Sequence, residues 1–485
     1  MLSNHSSIRS IRRHLPPILE MALPIMVGQV GQMVMILIDM FMVGRLGPQA
    51  IGGAGLGNAI FYVFTLFGMG TLYALDFLVS NAQGAGDEAQ CRYWLRTGLY
   101  LSVILSVPLV VALLWIARHL AIFHFAPALT TSASAFLVTL SPSLFPFLVF
   151  VAYRQYLQAT GSPRPGTVIT LLAIASNVVF DVVLIFGVPG WLPALGVAGA
   201  GLATTLTRTL MAVSLAWYTI RRDRRALSRS VPTSASPSPP PSILSGLVRL
   251  FKIGGPAGVH VTLEASVFSV ATAMLSHLGV VPAAAHTIVL NITSFTYMAP
   301  LGLSGAAAVV VGSHLGARRR KEACACGYVS LALSAVIMAC SGLVLVLASR
   351  PIVSIFTADP VVVALAQRLL YLVAIYQVAD GLQVVGAGAL RGLGDTRSPV
   401  VAILVGYWVV GLPVGFWLGF GRGLGAFGLW VGLTIGLFVV AAYILWRWRE
   451  QSIICQSDIP ELPCAPQEDG CEPLPRTAGV PSTTA

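Results

Sequence analysis

Hydrophobic residues run through this chain in long blocks separated by short polar joins. A helix that crosses a bilayer core needs about 20 consecutive, mostly apolar residues. Twelve stretches meet that length, near 17–44, 50–80, 93–118, 129–157, 166–188, 194–219, 246–278, 283–312, 325–348, 360–390, 399–419 and 424–446. The runs are too long, and alternate too little, for the strands of an outer-membrane barrel. The pattern predicts an all-α polytopic membrane protein with twelve transmembrane helices. Several runs exceed the bilayer's need, so tilt or protrusion is expected.

The polar interruptions divide the chain. Residues 1–16 form a short N-terminal segment with Arg9, Arg12 and Arg13. Residues 220–245 carry an Arg cluster followed by a Pro/Ser tract, which reads as a flexible linker. Residues 447–485 are polar and Pro-rich, which reads as a disordered tail. Between them lie two six-helix lobes, 17–219 and 246–446. The lobes repeat each other. Pro24, Gly47, Gly70 and Gly84 recur 232 positions later as Pro256, Gly279, Gly302 and Gly316. Asn58 recurs as Asn291, and Gly161 with Arg164 as Gly394 with Arg397, one position further on. An even repeat keeps both halves in one orientation, so the pseudo-axis runs along the membrane normal. Parallel repeats of that kind are a transporter architecture, with the site expected between or within the lobes.

Composition sharpens the class. The chain is 56% apolar and only 10% charged, against about 25% charged for soluble domains. An ordinary cytosolic enzyme, a nucleic-acid-binding domain and a disordered regulator are excluded. The net charge of +11 sits in the joins, where it reads as a topology signal. With the N-terminus cytoplasmic, 23 Lys and Arg fall on the cytoplasmic side and five on the other. Both termini are therefore expected inside. Apart from Lys252 and Lys321 every basic residue is Arg, which we read as base-composition bias. The seven cysteines form no C-x-x-C and are expected as free thiols. The first long helix lacks a cleavage site and is expected to stay.

Charges inside apolar runs need a reason, since each costs at least about 2.5 kcal/mol in a bilayer. Asp39, Asp76, Asp181, Glu264 and Asp380 are such acids, whereas Arg208 is the chief base. A cavity lined by carboxylates favours cations. Asn177 and Asp181 stand at i, i+4 on one helix face; Tyr376, Asp380 and Gln383 share another, and His260 and Glu264 a third. Such carboxylates are candidates for proton exchange; with amide, hydroxyl and carbonyl oxygens nearby they are equally candidates for holding Na⁺. Plainer readings stand beside these. Asp76 also fits a helix-packing or loop-anchoring residue, and His260 a hydrogen-bonded interior histidine. Arg208 fits pairing with an acid or snorkelling. The methionines Met33, Met35, Met40 and Met42 fit core or lipid packing as well as an adaptable drug surface.

Over roughly 15–446 the chain resembles the multidrug and toxic compound extrusion (MATE) family. The resemblance is carried by "ALPIMVGQVGQMVMILIDMFMVGRLG", "LDFLVSNAQGAGD", "QYLQATGSPRP", "NVVFDVVLIFG", "PAGVHVTLEASVF" and "YQVADGLQVVGAGALRGLGDTRSP". It implies two six-helix lobes facing a central cleft, and export of organic cations in exchange for Na⁺ or H⁺. It places Asp39, Asn177, Asp181 and Thr204 at the N-lobe coupling site of DinF-like members. It places Glu264 and Asp380, with Tyr376 one turn earlier, at the C-lobe cation site of NorM-like members. Carrying both constellations leaves the ion open, with Na⁺ expected at either. Asn81 departs from the family pattern, where Gln is common, and so do the long linker and tail.

The expectation is therefore a secondary active antiporter, not an enzyme, needing no cofactor. It would act as a monomer in a bacterial inner membrane, on organic cations and without nucleic acid. The alternative is a lipid-linked oligosaccharide flippase of the same wider superfamily. Its anionic pyrophosphate substrate would want several Arg or Lys in the cavity, yet acids outnumber bases inside the spans. The chain holds no recognisable Ser/His/Asp group, H-E-x-x-H or phosphate loop.

Overall fold

The structure is a computed structural model that describes residues 4–123, 126–228 and 242–457. It is all-helical apart from one isolated β-bridge, Val188 to Leu192. Six long helices form the N-lobe: α1 (Asn4–Gly44), α2 (Pro48–Gly84), α3 (Glu88–His119), α4 (Pro127–Ala159), α5 (Arg164–Phe186) and α6 (Gly196–Leu227). Six more form the C-lobe: α7 (Ile243–Ser276), α8 (Val280–Gly316), α9 (Arg320–Leu347), α10 (Pro360–Gly392), α11 (Arg397–Gly421) and α12 (Gly425–Ser457). Eleven of the described helices are long and apolar enough to span a membrane by length and composition. The exception, α6, is continuous and packed in the bundle, but four threonines and Arg208 between 204 and 209 make it more polar.

The helices outrun their apolar cores. α1 begins at Asn4, inside the segment expected to precede the first span, and its His14 is already buried. α6 continues to Leu227 and α7 starts at Ile243, capped by Ser242 accepting from Ser245 N. The linker is therefore shorter than 220–245, and its Pro/Ser part, 229–241, lies outside the described residues. α12 runs eleven residues into the stretch expected to be a disordered tail, with Trp448 and Ser452 buried. Residues 458–485 lie outside the described residues.

The repeat is present in the backbone. Gly47 and Gly279 start α2 and α8 with φ of 108° and 110°, a left-handed region that L side chains rarely adopt. Gly161 and Gly394 match likewise at 76° and 87°. Each lobe has its own core, yet the lobes exchange helix starts. Ile18, Ala22 and Ile25 of α1 belong to the C-lobe core. Leu250 of α7, 232 positions after Ile18, belongs to the N-lobe core.

The lobes converge at one end of the bundle. Gly84 lies against the Ser313 carbonyl, and its repeat mate Gly316 against the Asn81 carbonyl. Gly70 meets Gly258, Gly254 meets Thr71 and Gly302 meets Met26, all between lobes. At the other end Gly47, Gly55 and Gly279 have nothing within 4 Å of where a Cβ would sit. Small residues permit the close approach of helix backbones that association within a bilayer requires. The lobes are therefore closely packed against each other at the 84/316 end.

Candidate transport site

The N-lobe brings together four polar residues from three helices. Asp39 lies near the end of α1, Asn177 and Asp181 lie on α5, and Thr204 lies near the start of α6; all are buried. The Thr204 hydroxyl donates to Asp39 Oδ2 at 3.2 Å. The side chains of Asp181 and Asn177 adjoin Asp39. Asn177 and Asp181 reach this point together because they are one turn apart on α5. The cluster is short of donors. Asp39 Oδ1, both Asp181 oxygens and both polar atoms of Asn177 have no hydrogen-bond partner among the described residues. Two carboxylates side by side away from water repel, and a proton or metal cation between them removes the repulsion.

Arg208, one turn from Thr204, makes no ion pair among the described residues. Its guanidinium packs 4.9 Å from the Phe61 ring centre and 4.7 Å from that of Phe147, and donates to Ser143 Oγ at 2.9 Å. Cation–π contacts hold it, and its charge acts on Asp39 without a direct ion pair.

The C-lobe builds a different cluster. Glu264 of α7 accepts from Gln383 Nε2 of α10 at 2.6 Å and from the Tyr297 hydroxyl of α8 at 3.4 Å. Asp380 adjoins Gln383 one turn away on α10. Tyr376 stacks on Trp430 of α12, ring centres 6.1 Å apart and 18° from parallel. His260 shares the Glu264 face of α7, but its Nε2 has no hydrogen-bond partner among the described residues. Sequence reasoning missed Tyr297 and Trp430, because aromatic residues within apolar runs carry no signal of their own.

Asp76 belongs to neither cluster. It is fully buried where the lobes converge, eight residues before the end of α2. Gln155 Nε2 of α4 donates to its Oδ1 at 2.7 Å, and Arg391 Nε of α10 lies 3.4 Å from its Oδ2. The Arg391 guanidinium also lies 4.9 Å from the Tyr73 ring centre, at the residue that interrupts α2. Arg154 NH1 donates to Gln29 at 3.3 Å beside them. The cavity among these residues measures only about 20 Å³. Asp76 and Arg391 thus form a buried ion pair across the two lobes. Asp76 therefore sits between the lobes and not in either carboxylate cluster. Arg154 and Arg391, counted from sequence as charges of the joins, are buried between the lobes near the ends of α4 and α10.

The MatE family model matches residues 24–183 and 256–417, one stretch per lobe. The chain is 37% identical over 446 residues to the multidrug resistance protein NorM of Burkholderia vietnamiensis, covering 91% of this chain and 95% of the relative. A eukaryotic MATE transporter, AtDTX14, superposes with a TM-score of 0.82 at 22% identity, covering 92% of this chain and 99% of that one. A transporter of the MOP superfamily from Pyrococcus furiosus, described as having a binding pocket of reversed polarity that suggests a different function, superposes at 0.77 with 20% identity, covering 91% and 96%. The chain belongs to the MATE family: it is a multi-pass membrane transporter, not an enzyme.

Proposed function

We propose that this protein exports organic cations across a bacterial inner membrane in exchange for Na⁺ or H⁺ moving inward. The observation that carries the reading is the polarity of the two clusters. Asp39 and Asp181 in one lobe, and Glu264 and Asp380 in the other, are buried carboxylates without an ion-paired base among the described residues. Bases are present but engaged elsewhere: Arg391 with Asp76, Arg154 with Gln29, Arg208 with two Phe rings. An anionic pyrophosphate substrate finds no comparable set of uncommitted cations. The named function of the Burkholderia relative, multidrug resistance, supports the same reading.

Counting Arg and Lys puts the 84/316 end on the cytoplasmic side, together with both termini. In this reading the lobes are in contact at their cytoplasmic end. Entry of a cation from outside neutralises a lobe carboxylate and weakens the hold on a bound organic cation, which leaves outward. The emptied lobes rock, breaking the Asp76–Arg391 pair and opening the cytoplasmic end. The ion is released there and the next substrate binds. One charge moving down 100 mV supplies about 2.3 kcal/mol. A single copy contains every part of this cycle, so the unit is a monomer, with no cofactor.

The test is ethidium transport by purified protein in liposomes, under a sodium gradient and a proton gradient imposed separately. The expected result is transport driven by one gradient and lost in Asp39→Asn or Asp380→Asn. Folded protein that moves no organic cation under either gradient would overturn the reading and favour the flippase.

A further inference from the structure

His14 of α1, His314 of α8 and Cys326 of α9 meet at the closed end of the bundle, outside both carboxylate clusters. One ligand atom from each lies within 4.8 Å of the other two. His14 Nδ1 stands 3.4 Å from Cys326 Sγ. Two ligands on one tetrahedral Zn²⁺, at Zn–S about 2.3 Å and Zn–N about 2.0 Å, sit about 3.5 Å apart. His14 and Cys326 are buried, and His314 is partly so.

The surroundings match a metal site as well. Glu322 Oε2 lies 3.3 Å from His314 Nδ1. A carboxylate behind one ring nitrogen fixes the tautomer that ligates through the other. Glu322 is itself held by Arg13 at 3.3 Å and Arg319 at 3.7 Å, so it serves that outer role. Three protein ligands leave a fourth position for water. A thiolate with two imidazoles selects a borderline-soft cation, and Zn²⁺ above all.

We propose that His14, His314 and Cys326 form a regulatory Zn²⁺ site that clamps the closed end. The ligands tie the start of α1, which already packs in the C-lobe core, to α8 and α9. α1 also carries Asp39 of the N-lobe, so a metal here ties the coupling helix to the opposite lobe. A ligand shifts a conformational equilibrium only by its differential affinity for the two states. This site is complete with the lobes closed at the 84/316 end, so Zn²⁺ holds that state and slows turnover. The binding claim stands by itself; the slowing rests on the alternating-access reading above.

The test titrates Co²⁺, a spectroscopic stand-in for Zn²⁺, into chelator-stripped full-length protein. One equivalent per chain should give a thiolate-to-cobalt charge-transfer band that Zn²⁺ abolishes. The band should vanish in Cys326→Ser, and affinity should fall about 10- to 100-fold in His314→Gln. In liposomes, Zn²⁺ should slow transport by the native protein and spare Cys326→Ser, whose metal-free rate is unchanged. If Cys326→Ser does not fold, the His314→Gln titration decides. No band at one equivalent, or a band that survives in Cys326→Ser or at full strength in His314→Gln, overturns the site. Stoichiometric binding that leaves the transport rate unchanged overturns the clamp. Absence of transport under any condition, with the cobalt band intact, strikes the transport reading and not the site.

Discussion

The two lobes descend from one repeat, yet their buried carboxylates are furnished in opposite ways. In the N-lobe, Asp39 has one hydroxyl donor, Thr204, while Asp181 beside it has no hydrogen-bond partner among the described residues. In the C-lobe, Glu264 has two neutral donors, Gln383 at 2.6 Å and Tyr297 at 3.4 Å. Donors to a carboxylate favour its charged form. Glu264 thus has two donors supplied by the protein, and the paired N-lobe acids have one. On the proposed function this difference is a division of labour. The N-lobe pair, short of donors, would do the coupling. The C-lobe acid, already hydrogen-bonded and close to the stacked rings of Tyr376 and Trp430, would attract the organic cation.

The sharpest break of this comparison is Asp181→Asn. Removing one acid of the pair removes the repulsion that an incoming ion relieves. Gradient-driven dye transport should fall to passive leak, while dye affinity, read by fluorescence anisotropy in detergent, should stay within about threefold (0.65 kcal/mol). Glu264→Gln should do the reverse, weakening dye binding about tenfold, or 1.4 kcal/mol, with residual coupling intact. If both variants lose coupling and binding equally, the lobes share one function and the division fails.

Next in size is the joint between the clusters. Asp76→Ala leaves Arg391 buried without its acid, a change that costs about 3–5 kcal/mol. The cost falls on the closed state alone, since the pair spans the lobes. The expected outcome is a population shift toward opening of the 84/316 end, measured as a lengthened distance between spin labels at the ends of α2 and α8. An unchanged distance distribution in folded protein would mean that the glycine contacts, not the ion pair, set closure.

Much of this was legible in the sequence, for definite reasons. Gly47, Gly279, Gly161 and Gly394 revealed the repeat because only glycine sits freely at their positive φ. Asp39, Asp181, Glu264 and Asp380 stood out because charge within apolar runs is rare. Other features carry no such mark. Tyr297 and Trp430 resemble any aromatic residue of a buried helix. The exchange of α1 and α7 starts between lobes was unreadable, because a helix apolar on all sides does not disclose which neighbour it packs on. The burial of Arg154 and Arg391 is not legible because an Arg near the end of a run reads as a charge of the join, whichever neighbour the helix end packs on. His14, Cys326 and His314 are spread over 312 positions, so spacing gave no hint that they meet.

A finer test of the C-lobe half is Gln383→Leu. It removes the 2.6 Å donor and leaves Glu264 with Tyr297 alone. A hydrogen bond to a charged group is worth about 1.5–3 kcal/mol. Thermal stability should drop by that order at neutral pH and recover partly in Gln383→Leu combined with Glu264→Gln, where no charge is left to support. Stability of the double variant below that of the single one would mean that Gln383 serves Asp380 instead.

The smallest effect expected is that of Thr204→Val, and its size reads the coupling ion. The change keeps the shape and removes one 3.2 Å hydrogen bond to Asp39. If a proton couples transport, the hydroxyl bonds a carboxyl group that the proton neutralises. The loss is then about 0.5–1.5 kcal/mol, and the gradient required for half-maximal transport shifts by no more than about tenfold. A sodium ion is a hard cation that needs a shell of oxygens, and the N-lobe offers few besides Asp39, Asp181, Asn177 and Thr204. Removing one of them should then cost as much as Asp181→Asn, and Thr204→Ser should restore transport. The Val variant measured against both its neighbours therefore distinguishes a carboxylate pair that shares a proton from one that completes a coordination shell.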